Sequence, residues 1–119
     1  MQTNNRDAAS VWDMVQAIRR IQEFTAGLTF DDYQASILIQ SAVERQLEIL
    51  GEAAGRVSDD LRQTHPDIDW RRTVGLRNII IHRYDEIQQD IIWNIITTEL
   101  ATLLTQLEPL LPPLPNEQA

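Results

Sequence analysis

One short stretch of this sequence combines an arginine, a histidine and a tyrosine at close spacing. Four residues separate Arg77 from His82, and Tyr84 follows two residues after the histidine. Histidine titrates near neutral pH, and the planar guanidinium of arginine grips two phosphate oxygens at once. RNA can be cut without a metal ion when its 2′-hydroxyl attacks the adjacent phosphate, provided that a base takes the proton and a cation stabilises the developing charge. His82 and Arg77 could supply these two groups.

Several arginines cluster in this stretch, although the chain as a whole is acidic. The net charge is −8, and all ten cations are arginines. The window from 70 to 84 has no Asp or Glu and holds Arg71, Arg72, Arg77 and Arg83. Because phosphate binding draws its affinity from basic side chains, such a patch could guide a phosphate to one place. Arg71 and Arg72 are therefore candidate RNA-binding residues. The alternative is that these arginines only balance acidic neighbours.

Three glutamates at four-residue spacing, Glu44, Glu48 and Glu52, form a second candidate group. At this spacing they share one stripe of a helix. Such a stripe could serve acid–base chemistry or bind a divalent metal, but a solvated acidic face is its commoner meaning. We favour a supporting role in which Glu48 or Glu52 orients Arg77 through a charge-assisted hydrogen bond. We expect no metal site and no cofactor, since His65 lacks a second ligand at metal spacing and the chain has no cysteine.

Apolar residues at three- and four-residue spacing predict an all-α fold, an antiparallel bundle of about four to five helices. The predicted segments are a helix from about 8 to 25, a short helix capped by Thr29, a helix from about 35 to 56, a short turn capped by Ser58, a helix from 70 to about 81 capped by Asp69, and a last helix from 85 to Pro109. Gly51 and Gly55 either let another helix approach closely or mark a helix end.

The predicted helix from 70 to 81 carries three consecutive isoleucines, Ile79 to Ile81. They cover about 200° of a helix circumference, so this helix should be buried on more than one side. One side can face the core of the protein and the other a second subunit. Trp93 lies off the main apolar stripe of the last helix, where it marks either an interface or the edge of the core.

The length of 119 residues with 43% hydrophobic content suits one compact core. We expect a single helical domain over residues 1–109, followed by a proline-rich, mobile C-terminal tail over 110–119. No apolar stretch is long enough to cross a membrane, and the lack of cysteine gives no reason to expect an oxidising compartment. These features predict a cytoplasmic protein that does not bind a membrane.

The stretch from 75 to 84 resembles the signature of the HepT family within the HEPN superfamily. In that signature an arginine, usually followed by a polar residue, precedes a histidine after a four-residue gap, and a tyrosine follows two residues later. Arg77, Asn78, His82 and Tyr84 occupy these places. The resemblance extends from about residue 8 to residue 107, with similar segments in the same order at 47–54, at 66–71 and around Trp93.

The resemblance implies a HEPN-type bundle and a metal-independent ribonuclease toxin that cleaves RNA or tRNA. It implies that Arg77 and His82 are catalytic, with Asn78 and Arg83 in support, and that a homodimer brings two motifs into one cleft. It also implies a partner, a nucleotidyltransferase antitoxin of the MNT type, which attaches AMP to Tyr84 within a larger hetero-oligomer. The alternative is a catalytically silent module that binds a nucleotidyltransferase and helps to form its substrate site. A purely structural dimeric bundle would leave the arginine patch unexplained.

Overall fold

The structure is a computed structural model that describes residues 4–82 and 88–112, with the backbone alone for Ile81 and His82. Over these residues it contains seven α-helices, a 3-10 turn and no strand. They are α1 (Asn5–Thr25), α2 (Phe30–Gln34), α3 (Ile37–Arg56), α4 (Asp59–Thr64), α5 (Trp70–His82), α6 (Gln89–Thr98), α7 (Leu100–Leu107) and the 3-10 turn Glu108–Leu110. The predicted all-α fold is confirmed. The helix count exceeds the four to five expected because two helices are short and the last predicted helix is divided.

Side-chain caps fix where the helices begin. Thr29 and Asp32 form a reciprocal capping box at the start of α2, and the Ser58 side chain accepts from the N–H of Leu61 in α4. Asp69 accepts from the third N–H of α5 at 3.0 Å. These three caps confirm the predicted starts, since a side-chain oxygen at this position satisfies an N–H that has no partner within the helix. The first helix begins three residues earlier than predicted because Asn4 caps it.

The core is organised around α3, because both α1 and α5 pack along it while α7 packs on α1. The largest side chains that are fully buried come from α1, α2, α3, α6 and α7, and they include Met14, Ile18, Ile21, Tyr33, Leu47, Leu50, Ile92, Ile95, Leu100 and Leu107. Each aliphatic side chain removed from water in this way contributes about 1.5–3 kcal/mol. No helix of the described ranges is both long enough and apolar enough to cross a membrane.

The last predicted helix is interrupted at Glu99, which separates α6 from α7. The Glu99 backbone, at φ −110° and ψ −37°, still donates to Ile95 and accepts from Leu103, and its carboxylate binds Arg72 of α5. The two halves also pack on different helices, α6 on α2 and α7 on α1. The prediction of one continuous helix was wrong here because these tertiary contacts, which helical periodicity does not report, act on the two halves separately.

The two ends of the last predicted helix differ in what the structure describes. The predicted start, Asp85, lies outside the described residues, which resume at Gln88. At the other end α7 stops at Leu107, and Pro109 lies in the first turn of the 3-10 segment. Leu110 is buried, so packing continues to this residue. The predicted tail beyond Pro112 lies outside the described residues.

Candidate active site

The residues of the arginine–histidine motif lie at the end of α5. Arg77 and Asn78 are exposed on its last two turns, and His82 is its final residue. Arg83 and Tyr84, predicted as a supporting residue and as the modified tyrosine, lie outside the described residues. The structure therefore gives the environment of the Arg77 side chain and the backbone position at which His82 is carried.

Helix α5 crosses α3 at Gly51, directly beneath Arg77. A Cβ atom added at Gly51 would lie 2.7 Å from the Arg77 Cβ and 2.8 Å from the Arg77 backbone nitrogen, closer than real Cβ contacts come. Only a residue without a side chain lets the helices meet at this distance. Of the two predicted meanings of the glycine pair, Gly51 therefore has the first, a close approach of another helix. Gly55 has no neighbour at its Cβ position and stands one residue before the end of α3.

The three glutamates of the α3 stripe contact three different partners. Glu52 lies 3.6 Å from the Arg77 Nε, an ion pair somewhat longer than a hydrogen bond. Glu48 pairs instead with Arg45 of its own helix at 3.2 Å. Between the two predicted candidates, Glu52 is thus the glutamate beside Arg77. Because both side chains of that pair are more than one third exposed, water screens their attraction, and the pair favours one orientation of the guanidinium more than it stabilises the fold.

The third glutamate, Glu44, belongs to a chain of hydrogen bonds that the sequence did not reveal. The Tyr33 hydroxyl donates to the Gln89 Oε1 at 2.6 Å, and the Gln89 Nε2 donates to the Glu44 Oε2 at 2.8 Å. Burial, and then the charge of Glu44, raises the pKa of Tyr33 above its ordinary value. The chain joins α2, α3 and the first residue of α6. Because its members are far apart in sequence, no local pattern could have identified them.

Trp93 belongs to the edge of the monomer core. Its ring lies 5.2 Å from the ring of Tyr33 and 6.2 Å from that of Phe30, both in tilted arrangements. Aromatic pairs at these centroid distances attract each other through their quadrupoles. Of the two meanings considered for Trp93, the structure supports packing at the core edge.

The two remaining candidate arginines, Arg71 and Arg72, differ in how accessible they are to a phosphate. Arg71 is exposed, whereas Arg72 makes a two-pronged contact with Glu99, from Nε and from Nη2, each at 3.1 Å. The hydrogen bonds to Glu99 raise the pKa of Arg72. Arg72 also lines a cavity of about 310 Å³ between α5, α6 and α7, together with the carboxylates of Asp67, Asp69 and Glu99. A phosphate would meet repulsion there, so Arg71 is more accessible to a phosphate than Arg72.

The described residues contain no group of three or more His, Asp and Glu side chains arranged to hold a metal ion. A family model described as ribonuclease HepT-like matches residues 14–110. The chain belongs to the ribonuclease HepT-like family. The matched range runs from the middle of α1 through the 3-10 turn, so it includes α3, α5 and the Gly51 crossing.

Relatives across the matched region carry ribonuclease names. A protein of Methanocaldococcus jannaschii, named provisionally as an RNase, is 32% identical over 100 residues, which is 84% of this chain and 92% of that protein. A Thermococcus cleftensis protein named as a probable ribonuclease HepT is 34% identical over 98 residues, 82% of this chain and 89% of that protein. A second M. jannaschii protein, also named provisionally as an RNase, is 29% identical over 109 residues, 92% and 90% of the two chains.

No solved structure matches the chain significantly. The resemblance inferred from the motif is confirmed by the family match and by relatives that align over most of their length. The family places this HepT-like chain among HEPN-type ribonucleases, which confirms the predicted enzyme class.

Proposed function

We propose that this chain is a metal-independent ribonuclease toxin that cleaves RNA or tRNA with Arg77 and His82 as its catalytic residues. The observation that carries the proposal is the environment of Arg77. Its side chain is 48% exposed, it stands on the helix that ends in His82, and Glu52 lies beside it. A guanidinium has five N–H donors, so one ion pair leaves several of them able to hold a phosphate. Asn78 and Arg83 act in support.

In the proposed reaction the 2′-oxygen of RNA bonds to the adjacent phosphorus, and the bond from phosphorus to the 5′-oxygen breaks. A base takes the 2′-proton, and an acid gives a proton to the leaving 5′-oxygen. An imidazole at His82 can fill either role near neutral pH. Arg77 stabilises the negative charge that builds on the phosphate oxygens in the transition state. Arg71 adds an exposed cation that helps to hold the RNA backbone.

The proposed enzyme is a homodimer whose two motifs share one cleft. Residues five apart on a helix differ by about 140° in direction, so Arg77 and His82 of one chain do not face the same way on an ideal helix. A second protomer related by two-fold symmetry can supply the missing group. We expect twice the monomer mass in light scattering at micromolar concentration. A monomer under these conditions would contradict the shared cleft.

We propose further that a nucleotidyltransferase antitoxin neutralises the chain by attaching AMP to Tyr84, in a hetero-oligomer with the dimer. Family membership supports this partner, and the position of Tyr84 two residues after His82 supports the acceptor. The second candidate function is a catalytically silent helical module that binds a nucleotidyltransferase and helps to form its substrate site. The two functions share one fold, so only activity separates them.

The purified chain is expected to cleave RNA in the presence of EDTA, because the proposed base is an imidazole and no metal takes part in the scheme. Gel analysis of labelled RNA after incubation with and without EDTA measures this. The products should carry 2′,3′-cyclic phosphate and 5′-hydroxyl ends. Cleavage that disappears with the chelator and returns with magnesium would reject the metal-independent mechanism. A complete lack of cleavage on several RNAs would favour the silent module.

A further inference from the structure

Two neighbouring residues of α3 act on two different parts of Arg77. Gly51 touches its backbone, since a Cβ there would lie 2.8 Å from the Arg77 nitrogen and 2.7 Å from its Cβ. Glu52 touches its side chain, with 3.6 Å between a carboxylate oxygen and Nε. The first contact limits how close α5 lies to α3, and the second limits where the guanidinium points. Together they determine the position of the charged group.

We propose that Gly51 and Glu52 are positioning residues for Arg77, and that the absence of a side chain at Gly51 sets where the Arg77 guanidinium meets the substrate phosphate. This inference rests on the proposed function, in which Arg77 holds that phosphate. Neither residue takes part in the bond changes. Each acts through Arg77, so its contribution to catalysis exists only while Arg77 is present.

The other helical glycines show that close packing is particular to Gly51. Gly55 lies four residues later in the same helix, and Gly75 lies two residues before Arg77 in α5, yet a Cβ at either would meet nothing within 4 Å. Glycine inside a helix is less favourable than alanine, so alanine at these two positions should stabilise the protein. At Gly51 alanine would bring the same gain in helix stability, but its Cβ would displace α5. Activity and stability can therefore change independently at this position.

The test compares Gly51→Ala with Gly55→Ala and Gly75→Ala in RNA cleavage and in thermal unfolding. We expect Gly51→Ala to lower kcat about 10- to 100-fold with a smaller change in KM, because a displacement of less than 1 Å at a catalytic group has effects of this size. The two control variants should cleave like the unaltered chain and unfold at the same or a higher temperature. Equal kcat for Gly51→Ala and Gly55→Ala would overturn the proposal for Gly51.

Glu52→Gln gives a second measurement that does not disturb the helix crossing, so it remains informative if Gly51→Ala does not fold. It keeps the shape of the side chain and removes the charge beside Arg77. We expect kcat to fall several-fold, while Glu108→Gln, which breaks the comparably exposed pair of Glu108 with Arg19, leaves cleavage unchanged. Unchanged kcat for Glu52→Gln would overturn the role of Glu52.

A double-mutant cycle with Arg77→Lys separates positioning from general loosening of the fold. If Gly51 and Glu52 act through Arg77, each substitution should lower kcat much less in the Arg77→Lys background than in the unaltered chain. Full additivity would show that they act elsewhere and would overturn the inference. If Arg77→Ala leaves kcat unchanged, the proposed function has failed instead, since Arg77 would not hold the phosphate.

Discussion

Replacing Arg77 by alanine is expected to reduce RNA cleavage about 100- to 1,000-fold, the usual cost of removing one group that stabilises a developing oxyanion. His82→Ala should cause a loss of about 100-fold or more because it removes the proton acceptor or donor. The Arg77 side chain is exposed near the end of α5 and does not belong to the buried cluster of the core. The initial rate on a labelled RNA, together with circular dichroism of each variant, measures both effects.

Arg19→Ala is the matched control for the Arg77 variant. Arg19 is also a partly exposed arginine, at 42%, in an ion pair with a glutamate, at 2.9 Å from Glu108. It lies on α1, outside the arginine–histidine motif. Its loss should leave cleavage within about twofold, since exposed ion pairs contribute about 0–1 kcal/mol to stability and this one has no place in the scheme. Equal losses for Arg19→Ala and Arg77→Ala would mean that the effect is one of overall charge.

Incubation with the cognate nucleotidyltransferase and ATP is expected to add AMP to Tyr84 and to abolish cleavage without unfolding the protein. The added phosphodiester would bring its negative charge next to the basic motif and occupy the space of the substrate phosphate. Tyr84→Phe should cleave RNA normally and stay active after the same incubation. Mass spectrometry of the tryptic peptides, followed by the cleavage assay, measures both results.

The only other tyrosine of the chain provides an internal control for this modification. Tyr33 is fully buried, and its hydroxyl is bonded to Gln89 at 2.6 Å, so a nucleotidyltransferase has no access to it in the folded protein. Tyr33→Phe should therefore gain AMP as the unaltered chain does. If the Tyr84→Phe chain still gains AMP and is still silenced, another residue is the acceptor and the assignment of Tyr84 is wrong.

The parts of the fold that could be predicted from sequence depend on local chemistry. Thr29, Ser58 and Asp69 were identified as caps because the interaction that each makes lies within three residues of it. The long helices followed from periodicity for the same reason. A close approach of another helix was one of the two meanings that the sequence left open for Gly51, and identifying Arg77 as the neighbour requires the packing of α5 on α3.

The parts that could not be predicted depend on residues far apart in the chain. Arg72 was predicted to contact phosphate because it belongs to the window from 70 to 84, which has no acidic residue, yet Glu99, 27 positions away, binds it in the structure. Glu99 also lies at the interruption between α6 and α7. Apolar spacing alone had predicted one continuous helix there. The spacing of the three glutamates predicted that they share one helix face. It could not predict which of them lies beside Arg77, because only the packing of α5 on α3 shows that Glu52 pairs with Arg77 while Glu48 pairs with Arg45.

The hydrogen bonds from Tyr33 through Gln89 to Glu44 run in one direction only. The Tyr33 hydroxyl donates a hydrogen bond to the amide oxygen of Gln89, and the amide nitrogen of Gln89 donates to Glu44. Because an ionised carboxylate can only accept, the Gln89 amide has a single allowed orientation. Because the pKa of Tyr33 is higher in the folded protein than its unfolded value of about 10, this tie is intact below that pH and weakens only in more alkaline solution. Throughout the neutral range, these bonds therefore hold the first residue of α6 against α2 and α3.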